Sequence, residues 1–456
     1  MKTRKLKITS KRLGIGMLFI FSLVLFFVNC DGNAISQDNI TITTPDANKE
    51  SGIEYYYPDS GAVRTKLIIK GYNLGTDTSL LKVTINGKNA RIVGLNNDIL
   101  YAVVPARADT GLVKLFLTKN GKIQEFTFEK QFLYKFTRNV TTYTGKDVVR
   151  ERVDGALADA RTRRPWFLRR DKDNTLYILE EGRGRNRDGA LRRIIDGQVE
   201  TLYENNGGPF QSPTSMDFSP QQDTMYIAQT SASETNTNTA VTYCTREGGF
   251  VNMKTLVDFN NAKTTAVAVH PINGEVYFNS QNDGYIYKYT GKGIDPKAYE
   301  RIFQVNSATD TELRMRFSKD GKTLYIVVRN RHCIFKSTYD ETTQTLSKPV
   351  LWVGAWDESG YVNGAEGIAR FNNPGGLTID EDGNIFVPDK NTHIIRKITP
   401  AGEVSLYAGM PNNDGYKDGG PEFARFRQPE CVEILDDGAI YVADRETYCI
   451  RRVMVE

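Results

Sequence analysis

The sequence predicts an all-β protein in which a small β-sandwich precedes a six-bladed β-propeller. Three observations predict it: a pattern that occurs twice in the last hundred residues, an aromatic position that recurs through the last two thirds of the chain, and a separate set of short alternating strands before it. The 39 glycines and 23 tyrosines suit strands joined by tight turns.

The clearest repeat lies between Gly354 and Glu456. Both copies carry Ala-Arg-Phe-x-x-Pro, at residues 369–374 and 424–429. Each copy continues with a short apolar run, an acidic turn with glycine, and a β-branched or aromatic run that ends in Asp389 or Asp444, before an Ile-Arg pair. This order predicts an antiparallel meander, and a repeat of this length is typical of a propeller blade.

A single aromatic residue marks the second strand of every predicted blade. Each one follows a turn rich in Asp, Asn or Gly, so six such residues predict six blades. They are Tyr177, Tyr226, Tyr277, Tyr325, Phe386 and Tyr441. The repeat resembles the NHL family, whose Asn-His-Leu-like run corresponds here to residues 330–333 and 391–394.

One short segment before the first blade has the pattern of a fourth strand. Residues 140–145 (VTTYTG) match residues 404–409 (VSLYAG), whereas the last blade stops after three strands at Val453. We therefore expect the first segment of the propeller to supply the missing strand of the last blade. That closure removes free sheet edges.

The segment 41–137 predicts the sandwich. Its short strands alternate apolar and polar residues, with hairpin signals at Asn86-Gly87 and Asn120-Gly121. Its Gly-x-Asn-Leu-Gly, Val-x-Ile-Asn-Gly and Val-Pro elements resemble an IPT/TIG domain, which implies an immunoglobulin-like sandwich. Such domains serve as spacers or contact modules, and a stalk without a site is the alternative.

Residues 1–30 predict a targeting segment, followed by a linker over 31–40 and a propeller over 138–456. A basic start precedes an uncharged apolar run over residues 14–28, and Cys30 follows shortly after that run. The segment resembles a bacterial lipoprotein signal, which implies lipidation of Cys30. Phe27 and Asn29 depart from that pattern, and an ordinary signal peptide is the alternative.

Motifs for catalysis or metal binding are sparse. His332 and His393 occupy equivalent repeat positions, with Tyr448 in the same place in the last blade, which favours a structural role over a zinc site. The acidic turns lack the trailing glutamate of a calcium loop, and no Gly-x-Ser-x-Gly motif occurs. We expect no metal and no cofactor. The nearly balanced charge gives no indication of nucleic-acid binding.

The strongest candidate for a ligand site is the mouth of the propeller, where the innermost strands begin. Four residues at or beside those positions are Trp166, Glu312, Arg314 and Glu430. An aromatic ring can stack on a sugar, and charged groups can bond its hydroxyls. Packing between blades or a solvated rim is the alternative for each residue. Gly375-Gly376 is expected to leave a gap there.

Other positions give weaker candidates. Trp356 and Tyr361 could form a second aromatic platform, and the charged segment 180–193 and the polar segment 231–239 could be functional loops or plain hairpins. The repeated arginines of the Ala-Arg motif are expected to be structural, each paired with a carboxylate. They are Arg161, Arg370 and Arg425.

The two-domain arrangement resembles accessory lipoproteins of Bacteroides-type glycan-foraging systems. That resemblance implies capture of a glycan or oligosaccharide at the outer membrane or cell surface, beside outer-membrane transport proteins, with membrane contact through the lipid anchor only. A propeller hydrolase or lyase is the second hypothesis, and a protein-binding scaffold is the third. Catalysis would need a metal or a convergent carboxylate pair, whereas a scaffold would show an exposed apolar patch.

The cysteines predict no disulfide. Cys333 and Cys449 occupy repeat positions where the fifth blade has Ile394, so buried thiols are expected. Cys431 and Cys449 lie on strands separated by another strand, which is farther than a disulfide reaches.

The lipoprotein hypothesis gives the first prediction. A Cys30→Ser chain should leave the membrane fraction, because no thiol remains to carry the lipid. Fractionation and immunoblotting measure this, with Cys244→Ser as the control that stays in the membrane. Equal membrane retention of both variants would contradict lipidation at Cys30.

Overall fold

The computed structural model describes residues 43–455, except 64, 97, 106–107, 136, 183–188, 205–209, 211, 231–238, 260–262 and 293–294. The predicted signal and Cys30 lie outside the described residues. Within those residues, no helix is both long and apolar enough to cross a membrane.

The first sheet system is an eight-stranded sandwich in the order β1-β3-β6-β5-β4-β7-β8-β2, with every pairing antiparallel except β2 with β8. Its strands are β1 (Gly52–Tyr57), β2 (Ser60–Gly61), β3 (Lys66–Tyr72), β4 (Leu81–Ile85), β5 (Lys88–Asn96), β6 (Ile99–Val103), β7 (Gly111–Lys119) and β8 (Lys122–Tyr134), with a 3₁₀ turn at Thr78–Leu80.

Alternation of buried and more exposed side chains along the strands explains the sandwich. Along β7, Val113, Leu115 and Leu117 are fully buried, while the residues between them are less so. Asn86 and Asn120 adopt φ values of 47° and 50° and precede glycines that also have positive φ, as the tight hairpin turns require. The predicted sandwich and its two hairpins are confirmed.

The remaining strands form six blades around a central channel. The strands are β9 (Arg138–Gly145), β10 (Gly155–Ala156), β11 (Pro165–Arg170), β12 (Leu176–Glu180), β13 (Ala190–Ile195), β14 (Gln198–Glu204), β15 (Pro213–Phe218), β16 (Thr224–Gln229), β17 (Thr239–Thr245), β18 (Lys254–Asp258), β19 (Val267–Val269), β20 (Val276–Asn279), β21 (Tyr285–Tyr289), β22 (Tyr299–Gln304), β23 (Leu313–Phe317), β24 (Thr323–Val328), β25 (Cys333–Asp340), β26 (Thr345–Leu346), β27 (Val350–Gly354), β28 (Thr378–Ile379), β29 (Ile385–Asp389), β30 (Ile394–Ile398), β31 (Val404–Ala408), β32 (Pro429–Ile434), β33 (Ile440–Asp444) and β34 (Cys449–Val455).

The blades follow the chain in order. Blade 1 is β11–β14 with the two-residue strand β10 added at its outer edge, blade 2 is β15–β18, blade 3 is β19–β22, blade 4 is β23–β27, blade 5 is β28–β31, and blade 6 is β32–β34 together with β9. Short 3₁₀ turns lie at Val305–Ser307, Arg329–Arg331, Lys390–Thr392 and Arg445–Thr447. All six predicted aromatic positions lie on second strands of blades, which confirms the predicted six-bladed arrangement.

The ring closes as the sequence predicts. Strand β9 pairs antiparallel with β34 from Cys449↔Gly145 to Val455↔Arg138. The last blade therefore takes its outer strand from the start of the propeller, so its third strand has no unpaired edge.

Three blades share a buried pair, which we call the arginine clamp. An arginine on the third strand faces a carboxylate at the end of the second strand, and all three arginines are fully buried. The pairs are Arg192–Glu180 at 2.8 Å, Arg396–Asp389 at 3.4 Å and Arg451–Asp444 at 3.1 Å. Burial raises the pKa of Asp389 and Asp444 to about 6, and the paired arginine of each opposes that rise.

The clamp also holds the loop that leads into the innermost strand. In blade 5, Arg396 Nη1 donates to Arg370 O at 3.0 Å and Nη2 donates to Val362 O at 2.8 Å. The Asp389 carboxylate accepts from Asn372 N at 2.6 Å. The loop containing the Ala-Arg-Phe-x-x-Pro motif is thus held from both sides by one ion pair.

The repeated arginines of that motif need a correction. Arg370 pairs with Glu358 at 2.8 Å, as predicted, whereas no carboxylate lies within 4.0 Å of Arg161 or Arg425 among the described residues. Arg161 Nη1 and Arg370 Nη1 each donate to the three preceding carbonyls. The backbone carbonyl of Arg161 accepts a hydrogen bond from Nη1 of the clamp arginine Arg192 at 2.6 Å. The motif position therefore contributes to the clamp through its main chain.

The histidines are structural, as the sequence predicts. His332 and His393 adopt left-handed conformations, and the Nδ1 atoms accept from Asn373 N at 3.0 Å and Gln428 N at 3.2 Å in the next blade. Burial lowers the pKa of both imidazoles, which favours the neutral form that this acceptor role needs. Tyr448 has the same left-handed conformation in blade 6.

The clamp gives a stability prediction. Arg396→Met should lower the free energy of unfolding by about 3–5 kcal/mol, because it leaves the Asp389 carboxylate buried without its partner. Denaturant unfolding measures the loss. Arg370→Met is the control, since its side chain is partly exposed and should cost about 1 kcal/mol or less. An equal, small loss in both variants would contradict the clamp's importance.

Candidate ligand-binding site

The structure brings the four predicted mouth residues into one cluster. Trp166, Arg314 and Glu430 are each the second residue of an innermost strand, in blades 1, 4 and 6, and Glu312 immediately precedes β23. The common position at the start of these strands places the side chains at one end of the channel. We call this group, with the cations described next, the mouth cluster.

Four cationic groups lie within 6 Å of the Trp166 ring centroid. They are Arg314 at 5.7 Å, Arg329 at 5.5 Å, Lys390 at 6.0 Å and Arg445 at 5.1 Å. These cations come from blades 4, 5 and 6, whereas Trp166 belongs to blade 1. Because blades 1 and 4 are opposite in a ring of six, the indole lies across the channel.

Sequence reasoning missed three of these cations. Arg329, Lys390 and Arg445 each directly follow the second strand of a blade and lie three residues before His332, His393 or Tyr448. Aligning the blades on that left-handed position shows a cation at the same place in blades 4, 5 and 6. That regularity is the signal that could have found them.

Ion pairs join the cluster across the channel. Arg329 lies 2.5 Å from Glu312 through Nη1 and 2.5 Å from Glu430 through Nη2. Glu430 Oε1 also lies 2.9 Å from Lys390 Nζ. Although burial opposes ionisation of Glu430, Arg329, Lys390 and Arg445 together hold its pKa below the ordinary value. Glu430 is therefore a buried anion that holds three cations in place.

The predicted gap at Gly375-Gly376 is wrong. A Cβ on Gly375 would lie 2.2 Å from the carbonyl oxygen of Glu430, and one on Gly376 would lie 2.7 Å from Cys431 Sγ. The glycines allow the innermost chains of blades 5 and 6 to approach, with Gly376 N donating to Glu430 O at 2.8 Å. They close the wall of the channel.

The solvent side of the cluster is a charged rim. Arg445 pairs with Glu181 at 2.9 Å, and Arg164 lies 3.3 Å from Glu181 and 3.4 Å from Glu446. Trp166 is partly exposed, whereas Arg314 and Glu430 are buried behind the rim. A ligand at the mouth would therefore meet the indole and the rim first.

The two residues of the suggested second aromatic platform each contact residues of their own blade. Trp356 packs against Phe335, with ring centroids 6.1 Å apart, and lies 5.6 Å from the Arg331 guanidinium. Tyr361 lies 5.0 Å from Arg396, a clamp arginine. Both rings therefore contact groups that build blades 4 and 5.

The two predicted functional loops are only partly described. Glu180 and Ala190–Arg193 are strand residues of β12 and β13, so the charged segment is shorter than expected. Thr239 likewise begins β17. Residues 183–188 and 231–238, the middle of each predicted loop, lie outside the described residues.

The opposite end of the channel holds a cavity of about 440 Å³. Two arginines of its lining are paired: Arg316 contacts Glu433 at 2.7 Å, and Arg169 pairs with Asp217. Among the residues that the structure describes, no group of three or more His, Cys, Asp or Glu side chains is placed to hold a metal ion.

The four cysteines in the described part of the chain are free and buried. Burial raises the pKa of each thiol to about 12, so none is a ready nucleophile. They are Cys244, Cys333, Cys431 and Cys449.

Comparison with known proteins agrees with this architecture. Residues 51–134 match the family model of the IPT/TIG domain, and residues 279–414 match that of the SMP-30/Gluconolactonase/LRE-like region. A crystal structure of an auxiliary nutrient binding protein from Bacteroides thetaiotaomicron is 28% identical, with a TM-score of 0.64, over 91% of this chain and 99% of that one. The chain carries an IPT/TIG domain followed by a six-bladed β-propeller.

Two further relatives bear on the fold. An auxiliary nutrient binding protein from Bacteroides ovatus has a TM-score of 0.68 and is 23% identical over 91% of this chain and all of that one. Protein SUPPRESSOR OF QUENCHING 1, chloroplastic, from Arabidopsis thaliana is 25% identical over 283 residues, 54% of this chain. The matched region spans only 26% of that plant protein.

The ion-pair network predicts that Glu430 is a structural anion. Glu430→Gln should lower the free energy of unfolding by about 3–5 kcal/mol, because it leaves three cations in a buried place without their shared anion. Thermal and denaturant unfolding measure this. The control is Glu446→Gln, a partly exposed rim residue that should change stability by less than about 1 kcal/mol. Unchanged stability of the Glu430 variant would contradict this account.

Proposed function

We propose that this protein is a lipid-anchored cell-surface protein that binds carbohydrate at the mouth of its propeller, as part of a glycan-uptake system. The observation that carries the proposal is the partly exposed indole of Trp166, set across the channel among fixed charges. Carbohydrate sites combine an aromatic face with charged groups that bond hydroxyls.

The mouth is organised in advance for binding. Arg329 and Arg445 are almost fully buried; Arg329 is held by two carboxylates and Arg445 by three. Their positions are fixed before a ligand arrives, so a ligand would not have to order these long side chains. The indole, the rim, Glu312 and Lys390 keep solvent exposure that they can exchange for ligand contact.

The charges favour binding over acid–base catalysis. A glycosidase needs one carboxyl with a raised pKa as the proton donor. Glu430 has the opposite shift, and Glu312 is paired with Arg329 at 2.5 Å. These two groups therefore act as anchors for cations rather than as a catalytic pair.

The relatives support the same role. The Bacteroides thetaiotaomicron protein, 28% identical over nearly its whole length, is described as an auxiliary nutrient binding protein. The lipoprotein-like segment ending at Cys30 would attach the chain to the outer membrane. The IPT/TIG domain, which follows that segment, would then act as a spacer that carries the propeller.

Removal of the indole tests the proposal. Trp166→Ala should weaken glycan binding by about 5-fold to 150-fold, because the stacking face is lost. A glycan array with the whole chain in detergent identifies the ligand, and calorimetry gives the affinity. Trp356→Ala, which removes a partly buried tryptophan packed against Phe335, is the matched control and should bind normally.

Three results would contradict the proposal. Wild-type protein that binds no glycan would refute carbohydrate capture. A folded Trp166→Ala protein with normal affinity would move the site away from the mouth. A Trp166→Ala protein that melts far below the wild type would assign the indole to packing between blades.

A further inference from the structure

The mouth cluster contains one cation whose hydrogen-bonding capacity is only half used. Arg314 is 2% exposed, and its Nη1 donates to Thr265 O at 2.9 Å and to Leu313 O at 2.8 Å. Its Nε and Nη2 have no hydrogen-bond acceptor. The nearest carboxylate oxygen is Glu312 Oε1, at 4.0 Å from Nη2, and it is already bound by Arg329 at 2.5 Å.

This pattern distinguishes Arg314 from the other buried arginines of the described residues. The clamp arginines use both Nη atoms and leave only Nε without an acceptor. Among the buried arginines, Arg314 alone has both Nε and Nη2 without a hydrogen-bond acceptor. These two nitrogens form one edge of the planar guanidinium, which is the edge that binds a carboxylate through two parallel hydrogen bonds.

A third unused donor lies in the same place. Trp166 Nε1 is buried without an acceptor, and the Trp166 ring centroid is 5.7 Å from Arg314 Cζ. Buried donors without acceptors are costly, and they are rare in folded proteins. Two neighbouring side chains that together offer three such donors indicate an acceptor that the protein itself does not supply.

Charge favours an anion as that acceptor. Burial, reinforced by the neighbouring Arg329, lowers the pKa of Arg314 to about 10. The mouth cluster and its rim hold five cations, Arg164, Arg314, Arg329, Lys390 and Arg445, and four glutamates, Glu181, Glu312, Glu430 and Glu446, so the positive charge exceeds the negative charge by one. A carboxylate at the free edge of Arg314 would neutralise that excess.

We propose that the ligand of the propeller mouth carries a carboxylate, as a uronate or other acidic sugar does, and that Arg314 binds it through Nε and Nη2 with Trp166 Nε1 as a third donor. The inference rests on the proposed function, because it names the class of sugar at the same site. The partly exposed indole has its ring centroid 5.7 Å from Arg314 Cζ, so a sugar at that ring would carry its acid group next to the guanidinium.

The test compares three classes of glycan on one array: carboxylate-bearing, sulfated and neutral. The whole chain in detergent should retain carboxylate-bearing glycans. Converting the bound glycan to its neutral methyl ester should weaken binding about 10-fold to 100-fold, since two charge-assisted hydrogen bonds are lost. Arg314→Gln should weaken binding of the free acid by the same factor and leave binding of the ester unchanged.

Two further variants make the test specific. Arg314→Lys keeps the charge but loses the planar edge, so it should recover only part of the affinity. It also serves if Arg314→Gln does not fold, which a melting curve would show. Arg301→Gln, an exposed arginine with 63% side-chain exposure in blade 3, is the matched control and should bind as the wild type does.

Each other outcome overturns the inference in a recognisable way. Wild-type protein that binds neutral glycans as tightly as carboxylate-bearing ones, with Arg314→Gln binding the acids as tightly as the wild type does, would overturn it while leaving carbohydrate capture intact. Binding of sulfated glycans only would replace the carboxylate with another anion. Failure to bind any glycan would refute the proposed function, and the inference with it.

Discussion

The propeller depends on a buried ion pair that it uses three times. An arginine without solvent contact is stable only when its charge is balanced and its donors have acceptors. Each clamp arginine meets this demand with a buried carboxylate, carbonyls of a neighbouring loop, and one further side-chain oxygen, from Asp154, Asn363 or Asp418. The three clamps lie in blades 1, 5 and 6. These blades are consecutive around the ring and include the place where β9 closes it.

The clamp connects blade construction to the mouth. It holds the loop before Pro165, Pro374 and Pro429, the residues at which the innermost chains of the three blades begin. Trp166 and Glu430 directly follow two of those prolines. The clamp carboxylates Asp389 and Asp444 are likewise followed by Lys390 and Arg445. Four members of the mouth cluster are therefore each one residue away from the main chain that the clamps immobilise.

The mouth uses the same chemistry for a different purpose. In each clamp, both Nη atoms of the arginine donate hydrogen bonds to acceptors of the same blade and of the loop that leads into it. In the mouth cluster, the partners come from different blades, and Arg314 and Trp166 keep donors without acceptors. A propeller can hold this arrangement because its rigid blades fix both sides of the channel. In the proposed function, the donors that Arg314 and Trp166 leave without acceptors are the ones that a ligand would use.

Sequence patterns predicted the parts of the structure that are local or repeated. The six second strands, the two hairpins and the closing strand all follow from periodicity and turn residues. The candidate mouth residues followed from counting positions along the repeat. Contacts across the channel could not be predicted in that way, because Arg329 and Glu430 are 101 residues apart and belong to different blades. The glycine pair was misinterpreted for the same reason, since the chain that fills the space beside Gly375 comes from blade 6.

The most direct test of the mouth as the ligand site is the indole N–H signal of Trp166. The sequence has only three tryptophans, so a ¹⁵N-labelled protein gives three indole signals, and Trp166→Phe assigns one of them. Addition of a glycan identified by the array should shift the Trp166 signal far more than the signals of Trp352 and Trp356, because its Nε1 gains an acceptor. A bound glycan that leaves the Trp166 signal unchanged would contradict the account.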